Sequence, residues 1–220
     1  MADLFIFGAA EQAQIAHYYF EKQDQRLVSG FVVDDEFVKE SSFEGKPVFS
    51  RSEFISRFSV SEVEMFIALG YTSVNELRRQ KYDYFKSTGF KFTSYISKKA
   101  IVLNDFVIGD NAFILEHNTI QPFVRIGNNV TLWSGNHIGH HSIIDDHAFV
   151  SSHVVISGGV HIGRQCFLGV NSTIRDHISI GAESVIGAGA LIMKALPEKS
   201  VSVPAKTLPA EFESSRLRRI

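Results

Sequence analysis

Five of the nine histidines in this 220-residue chain fall within residues 134–154: His137, His140, His141, His147 and His153. Imidazole titrates near neutral pH and is the commonest nitrogen ligand of metals, so such a cluster suits proton transfer or metal binding, or is surface decoration. A second set lies upstream. Gly8, the paired acids Asp34 and Asp35, and Gly70 each end a short apolar run. Glycines and carboxylates at the ends of parallel strands suit a nucleotide, whose ribose or base bonds the acid while the backbone approaches phosphate. The single cysteine, Cys166, excludes an internal disulfide and a thiolate zinc cluster. What either set does depends on the backbone that carries it.

For the histidines that backbone is a repeat. From Ile96 to Ile192 every sixth residue is Ile, Leu or Val, without exception. If about a third of residues were aliphatic, chance agreement over that run is on the order of 10⁻⁸, and internal repeats outrank other fold cues. A period of six fits neither a helix nor an open sheet of long strands. It fits a coil of short strands in which one aliphatic per side points inward and stacks on its equivalent in the next coil. Two residues earlier, on the same strand face, stand Ala112, Ala148, Cys166, Ser172, Ser184 and Ala190, small enough for a crowded axis. Gly109, Gly127, Gly163 and Gly181 follow the aliphatic, where the chain is expected to turn its corners.

Upstream the pattern is strand and helix in alternation. "LFIFG" (4–8), "VSGFVVDD" (28–35) and "EMFIALG" (64–70) read as short buried strands. "AAEQAQIAHYYFEK" and "SVNELRRQKYDYFKS" read as helices, the second with Ser73 as its N-cap. The expected organisation is a small parallel, Rossmann-like α/β domain over 1–95, a β-helix over 96–206 and a basic tail over 207–220. Apolar residues make up 45%, enough for a real core. A net charge of -2 argues against nucleic acid as partner. No apolar stretch approaches the ~20 residues of a membrane span, and no signal-peptide pattern opens the chain. A cytoplasmic protein is the expectation.

Hexapeptide coils behind a small α/β domain resemble the sugar acetyltransferases that modify nucleotide-linked amino sugars or sialic acid. The likeness runs over nearly the whole chain. "FIFGAAEQAQIA" stands at the family's glycine-rich first turn, "GFVVDDE" at its second strand with paired acids, "GKPVF" at the following turn and "FIALGYTSVNELR" at its third strand and arginine-bearing helix. "ISGGVHIG", "CFLGVNSTI", "IGAGALIMK" and "VPAK" resemble its coenzyme A signatures. Ala10 departs from the richer glycine pattern of the first turn, and Ser202 from a glycine in the last motif.

The resemblance implies a left-handed β-helix, a homotrimer with active sites between neighbouring β-helices, acetyl-CoA as co-substrate and no metal. Family members carry an asparagine–histidine–acid triplet four residues before an aliphatic. Counting back from Ile144, His140 is the implied general base, Gly139 stands for the asparagine and His141 for the acid. His141 has three open roles: orienting His140, contacting substrate, or none, with Asp145 or Asp146 supplying the carboxylate. The implied substrate-binding set is Gly8, Asp34, Asp35, Gly70 and Arg78. The implied coenzyme set is Gly158, Asn171, Ala188, Gly189, Lys194 and Lys206. His137, His147, His161 and His177 are expected on exposed corners or strands, His17 on the helix surface, and Trp133 against a neighbour or the acyl chain.

The expected activity is N-acetylation of a nucleotide-linked (dideoxy)amino sugar for surface polysaccharide such as the O-antigen of lipopolysaccharide, by direct attack with no acyl-enzyme. O-acetylation of a sialic acid or related sugar is the alternative. A third reading is a zinc enzyme similar to β-helix carbonic anhydrases, because His117 with His153 and His141 with His177 are two coils apart. That family places a third histidine five residues on, where this chain has Gly158 and Ala182. A non-catalytic nucleotide-sugar binding protein is the fourth.

Overall fold

The computed structural model describes residues 2–103, 108–205 and 216; Lys206 and nearly all of the tail lie outside the described residues. The N-terminal apolar runs become strands of one six-stranded sheet: β1 (Asp3–Phe7), β2 (Val28–Val33), β3 (Ser42–Phe43), β4 (Lys46–Ser50), β5 (Val63–Ile67) and β6 (Lys91–Phe92). Their order is β3-β4-β2-β1-β5-β6, parallel except for the antiparallel β3–β4 pair. Helices α1 (Glu11–Tyr18), α2 (Arg51–Arg57) and α3 (Glu76–Ser87) provide the crossovers. Central β1 is buried on both faces, as a parallel sheet between helices demands. Phe5, Phe7, Phe54 and Phe85 fill one side of the sheet. Leu4, Ile6, Phe31 and Phe66 fill the other, and that cluster continues onto Tyr95, Phe113 and Leu115 of the coil. The two domains therefore share a core.

Ser50 caps α2, its Oγ accepting the Glu53 N–H at 3.1 Å. Ser73 does not cap α3. Ser73, Val74 and Asn75 instead make a left-handed turn, with φ of 51°, 53° and 65°, and the helix begins at Glu76. Left-handed φ is a genuine outlier for a β-branched residue such as Val74. A tertiary contact holds the turn: the Asn75 amide donates to the carbonyls of Gln165 and Cys166, both at 3.1 Å.

The hexads form the expected coil, a parallel β-helix of two-residue strands arranged in three sheets. Each strand pairs with the one three hexads on, as in Thr119↔His137, Ile143↔His161 and Phe149↔Phe167. The aliphatic ladder is sealed from Ile114 to Ile186, with Ala112, Ala148, Cys166, Ser172 and Ser184 filling the gaps. Burial pushes the Cys166 thiol up to about 11, which suits a core residue. Ile96, at the open end of the coil, is 39% exposed because no coil covers it.

The corners differ from expectation. Gly109, Gly127, Gly163 and Gly181 do not have positive φ; they are small because the next coil stacks on them, a Cβ on Gly163 meeting Ala182 N at 2.6 Å. The left-handed residue comes two positions later, once per hexad: Asn111, His117, Phe123, Asn129, Gly135, His141, His147, His153, Gly159, Gln165, Asn171, His177, Glu183 and Gly189. Histidine, like asparagine, is enriched in that region. Most of the histidine density is therefore a consequence of corner geometry.

Three edges run along the coil. Residues 121–123, 139–141, 157–159 and 175–177 form edge I. Residues 109–111, 127–129, 145–147, 163–165 and 181–183 form edge II. Residues 115–117, 133–135, 151–153, 169–171 and 187–189 form edge III.

Candidate active site

Edge I carries an exposed imidazole pair. The His140 N–H donates to Gln121 Oε1 at 2.9 Å. Its ring lies on Gly158 of the next coil, where a Cβ would stand 2.7 Å from Cε1 and 2.8 Å from Nε2. His141, at φ 58°, brings its Nδ1 to 3.1 Å from the Nδ1 of His140, the ring planes meeting at 86°. On its other side His141 leans on Phe123, with ring centres 4.6 Å apart. A cavity of about 520 Å³ opens between Phe123, Arg125, His141 and Ile143. Neither aspartate considered from the sequence reaches His140. Asp145 holds His161 Nε2 at 2.8 Å, and Asp146 accepts the Asn128 N–H at 2.6 Å.

The implied coenzyme residues divide between two edges. Half-buried Gly158 and exposed Lys194 lie along edge I; Asn171, Ala188 and Gly189 are exposed on edge III. The two edges flank one sheet, whose outward residues include His137, Val155, Thr173 and Leu191. Trp133, on edge III, lines a cavity of about 490 Å³ together with Ile15, Tyr18 and Tyr19, and its ring centre is 6.5 Å from that of Phe149.

The α/β domain places a cavity of about 260 Å³ beyond the ends of β1, β2 and β5, with Gly8, Ala9, Asp34, Leu69, Lys39 and Lys81 in its wall. Gly8 has φ 125°, and a Cβ there would meet the Ala68 carbonyl at 2.8 Å, so no side chain fits. Asp34, 7% exposed, is clamped by Lys81 Nζ at 2.7 Å and by Arg51 at 3.2 Å. Asp35 turns away and receives the Ser52 N–H and Oγ–H at 2.9 and 2.7 Å, which hold its carboxyl below the usual range. Gly70 stands just past Leu69 in open space, its nearest neighbour to a Cβ being Gln12 at 3.9 Å. Sequence reasoning missed Lys39 and Lys81, which no motif marks; their cations matter only once the strand ends converge.

Arg78 is placed against its expectation. It is 1% exposed, and its guanidinium donates to the carbonyls of Asn129, His147 (2.8 Å) and Ala148 (3.2 Å) and to Asn129 Oδ1 and Thr131 Oγ1. No donor group remains for a phosphate except Nε, which is buried without a partner. Burial lowers its pKa to about 9, still cationic at neutral pH. The residue bolts α3 to edge II. His147, expected on the surface, is 3% exposed there: Nδ1 lies 2.9 Å from the Asn129 amide and the ring is 5.5 Å from Tyr82. Burial depresses its pKa to about 4, so it is neutral at pH 7. His17 is likewise part-buried, 3.3 Å from Glu21 and against Phe31.

Among the described residues no three His, Cys, Asp or Glu side chains stand together to hold a metal. The coil between His117 and His153 holds Gly135, which the His153 ring covers, and His177 covers Gly159 in the same way. No helix among the described residues is long and apolar enough to cross a membrane.

Fold and site together define a two-part protein: a small α/β domain with an acid-and-lysine cavity, docked on a hexapeptide-repeat β-helix with a solvent-facing histidine pair. Comparison with known proteins agrees. Residues 123–158 and 159–194 match the bacterial transferase hexapeptide (six repeats) family. No curated protein sequence matches the chain. Solved structures share the whole fold. The acetyltransferase domain of PglB from Neisseria gonorrhoeae is 21% identical with a TM-score of 0.78, over 94% of this chain and 100% of that one. A histidine-to-asparagine variant of perosamine N-acetyltransferase from Caulobacter crescentus, in complex with CoA and GDP-perosamine, is 20% identical with a TM-score of 0.81, over 96% and 98%. WeeI from Acinetobacter baumannii is 18% identical with a TM-score of 0.81, over 93% and 97%. At these identities the likeness is one of fold.

Proposed function

We propose that the chain is an acetyl-CoA-dependent N-acetyltransferase acting on the amino group of a nucleotide-linked sugar, with His140 as general base. The observation that carries this reading is the His140 ring, exposed on edge I over a side-chain-free Gly158, in a chain whose α/β domain offers a separate anion-compatible cavity. The fold shared with a protein crystallised with CoA and GDP-perosamine supports it.

In this reading Lys39 and Lys81 face the diphosphate, the backbone at Gly8 approaches it, and Asp34 accepts a bond from ribose or base. Asp35, Gly70 and Arg78 shape the domain without touching the ligand. Coenzyme A runs past Gly158, Asn171, Ala188 and Gly189, with Lys194 near its phosphates. Because those residues lie on two edges, the complete site takes edge I from one subunit and edge III from a neighbour, in a homotrimer. The sugar amine attacks the thioester carbonyl while His140 Nε2 takes its proton; backbone amides hold the oxyanion. Collapse breaks the C–S bond, and the thiolate leaves with the proton returned by the imidazolium. The cytoplasm supplies acetyl-CoA, and the product feeds surface polysaccharide such as O-antigen.

A panel of nucleotide-linked amino sugars, assayed for thiol release from acetyl-CoA with the product's new bond read by mass spectrometry, tests this. Amide formation on at least one amino sugar is expected. An ester on a hydroxyl, or no thiol release with any acceptor, overturns it.

A further inference from the structure

The usual partner of a catalytic imidazole is a carboxylate, and among the described residues none is bonded to the His140 ring: Asp145 and Asp146 of edge II bond His161 and Asn128, and Asp176 of edge I pairs with Arg175 at 3.7 Å. A base still needs one ring nitrogen fixed so that the other presents its lone pair. The only side-chain nitrogen or oxygen bonded to the His140 ring among the described residues is Nδ1 of His141, 3.1 Å from His140 Nδ1. Two imidazole nitrogens at that distance hold one proton between them: one donates and the other accepts.

Phe123 adds an independent observation. Of the fourteen left-handed corner residues from Asn111 to Gly189, it is the one large apolar side chain. It sits at φ 66° and is 66% exposed, so it bears both backbone strain and solvent-facing apolar surface. Its ring contact is the His141 ring, at 4.6 Å. A residue unsuited to its backbone and to solvent, yet stacked on the neighbour of the base, fits a functional demand.

We propose that His141 is the positioning residue of the active site: held by Phe123, its neutral Nδ1 accepts the Nδ1–H of His140 and keeps Nε2 of His140 free to take the substrate proton. This rests on the reading of His140 as base. It differs from a carboxylate arrangement in one respect, that the acceptor is uncharged.

The test uses the full-length protein and two readouts. By long-range ¹H–¹⁵N correlation, His140 in the wild type is expected as a single Nδ1–H tautomer; in His141→Phe, which keeps a ring on Phe123 but has no nitrogen, that preference is lost. In acetyl transfer, His141→Phe is expected to lower kcat by roughly 30-fold with KM for acetyl-CoA within about twofold, since positioning serves a base worth ~10²–10⁴ in rate. His141→Asp, which tolerates left-handed φ and restores an acceptor, is expected to recover most of that loss. Phe123→Asn is expected to lower kcat about fivefold without lowering Tm, because it relieves the strain while freeing His141. A wild-type His140 found with its proton on Nε2, or a His141→Phe variant with unchanged kcat, overturns the proposal. If instead His140→Ala retains full kcat, the base assignment itself fails, and the tautomer measurement still reports whether the imidazole pair exists.

Discussion

Edges I and II are built from the same hexad, with histidine at the same left-handed corner, and they are used in opposite ways. On edge II four of the five corner residues, Asn111, Asn129, His147 and Gln165, are nearly inaccessible, at 0–4% exposure. They form a polar ladder: Asn111 donates to Asn129 Oδ1 at 2.7 Å, Asn129 meets His147 at 2.9 Å, and Gln165 reaches the Val74 carbonyl at 3.0 Å. Arg78 closes it from α3. On edge I the equivalent residues Phe123, His141 and His177 face solvent. A corner side chain leaves the coil in either case; whether it becomes glue or chemistry depends on what stands opposite. Edge II meets a domain that supplies donors and acceptors, so its histidine loses its proton affinity. Edge I meets no such domain among the described residues, so His140, His141 and His177 stay exposed.

Substitutions on the two edges separate these roles, and the largest effect is expected on edge I. His140→Asn should lower kcat by roughly 10²–10⁴-fold, the range for loss of a general base, with Tm unchanged because the ring is exposed. Steady-state thiol release alongside a thermal melt checks both halves. The converse belongs to edge II. Arg78→Ala takes the guanidinium donor from the buried carbonyls of Asn129 and His147 and should destabilise the fold by about 2–4 kcal/mol in urea melts. Its effect on kcat, measured well below the transition, should be small by comparison.

A pH series sharpens the contrast further. His147 has a folded pKa of about 4, below its ordinary 6.5, so the unfolded chain binds more protons between those values. Stability from this group is whole above about pH 6.5 and falls as pH drops towards 4, by up to ~3 kcal/mol across the window. His147→Asn, which suits the left-handed corner, should flatten that part of the stability curve; an unchanged slope would place the titrating group elsewhere. The smallest effect is expected from Gly158→Ala. Gly158 lacks positive φ, so the backbone accepts alanine, but the Cβ displaces the His140 ring. About a tenfold fall in kcat at constant Tm is expected, equivalent to ~1.4 kcal/mol.

By itself the sequence determined the coil. An aliphatic at every sixth position from Ile96 to Ile192 leaves one way to bury them together, and the small ladder through Cys166 agrees, because both patterns report the axis of a repeat that contacts only its neighbours. The strand ends at Gly8 and Asp34, and the position of His140 in its hexad, were readable for the same local reason. What the tertiary structure alone decided was which corners are covered. The burial of Arg78 and His147, the left-handed turn at Ser73–Asn75 and the clamp of Lys81 on Asp34 all arise where residues about 50 or more apart, as Arg78 and His147 are, or brought together by a crossover, come into contact. Nothing in a six-residue period says which face the α/β domain will occupy. That choice rests on the match between α3 and edge II, a property of two surfaces and of neither sequence segment alone.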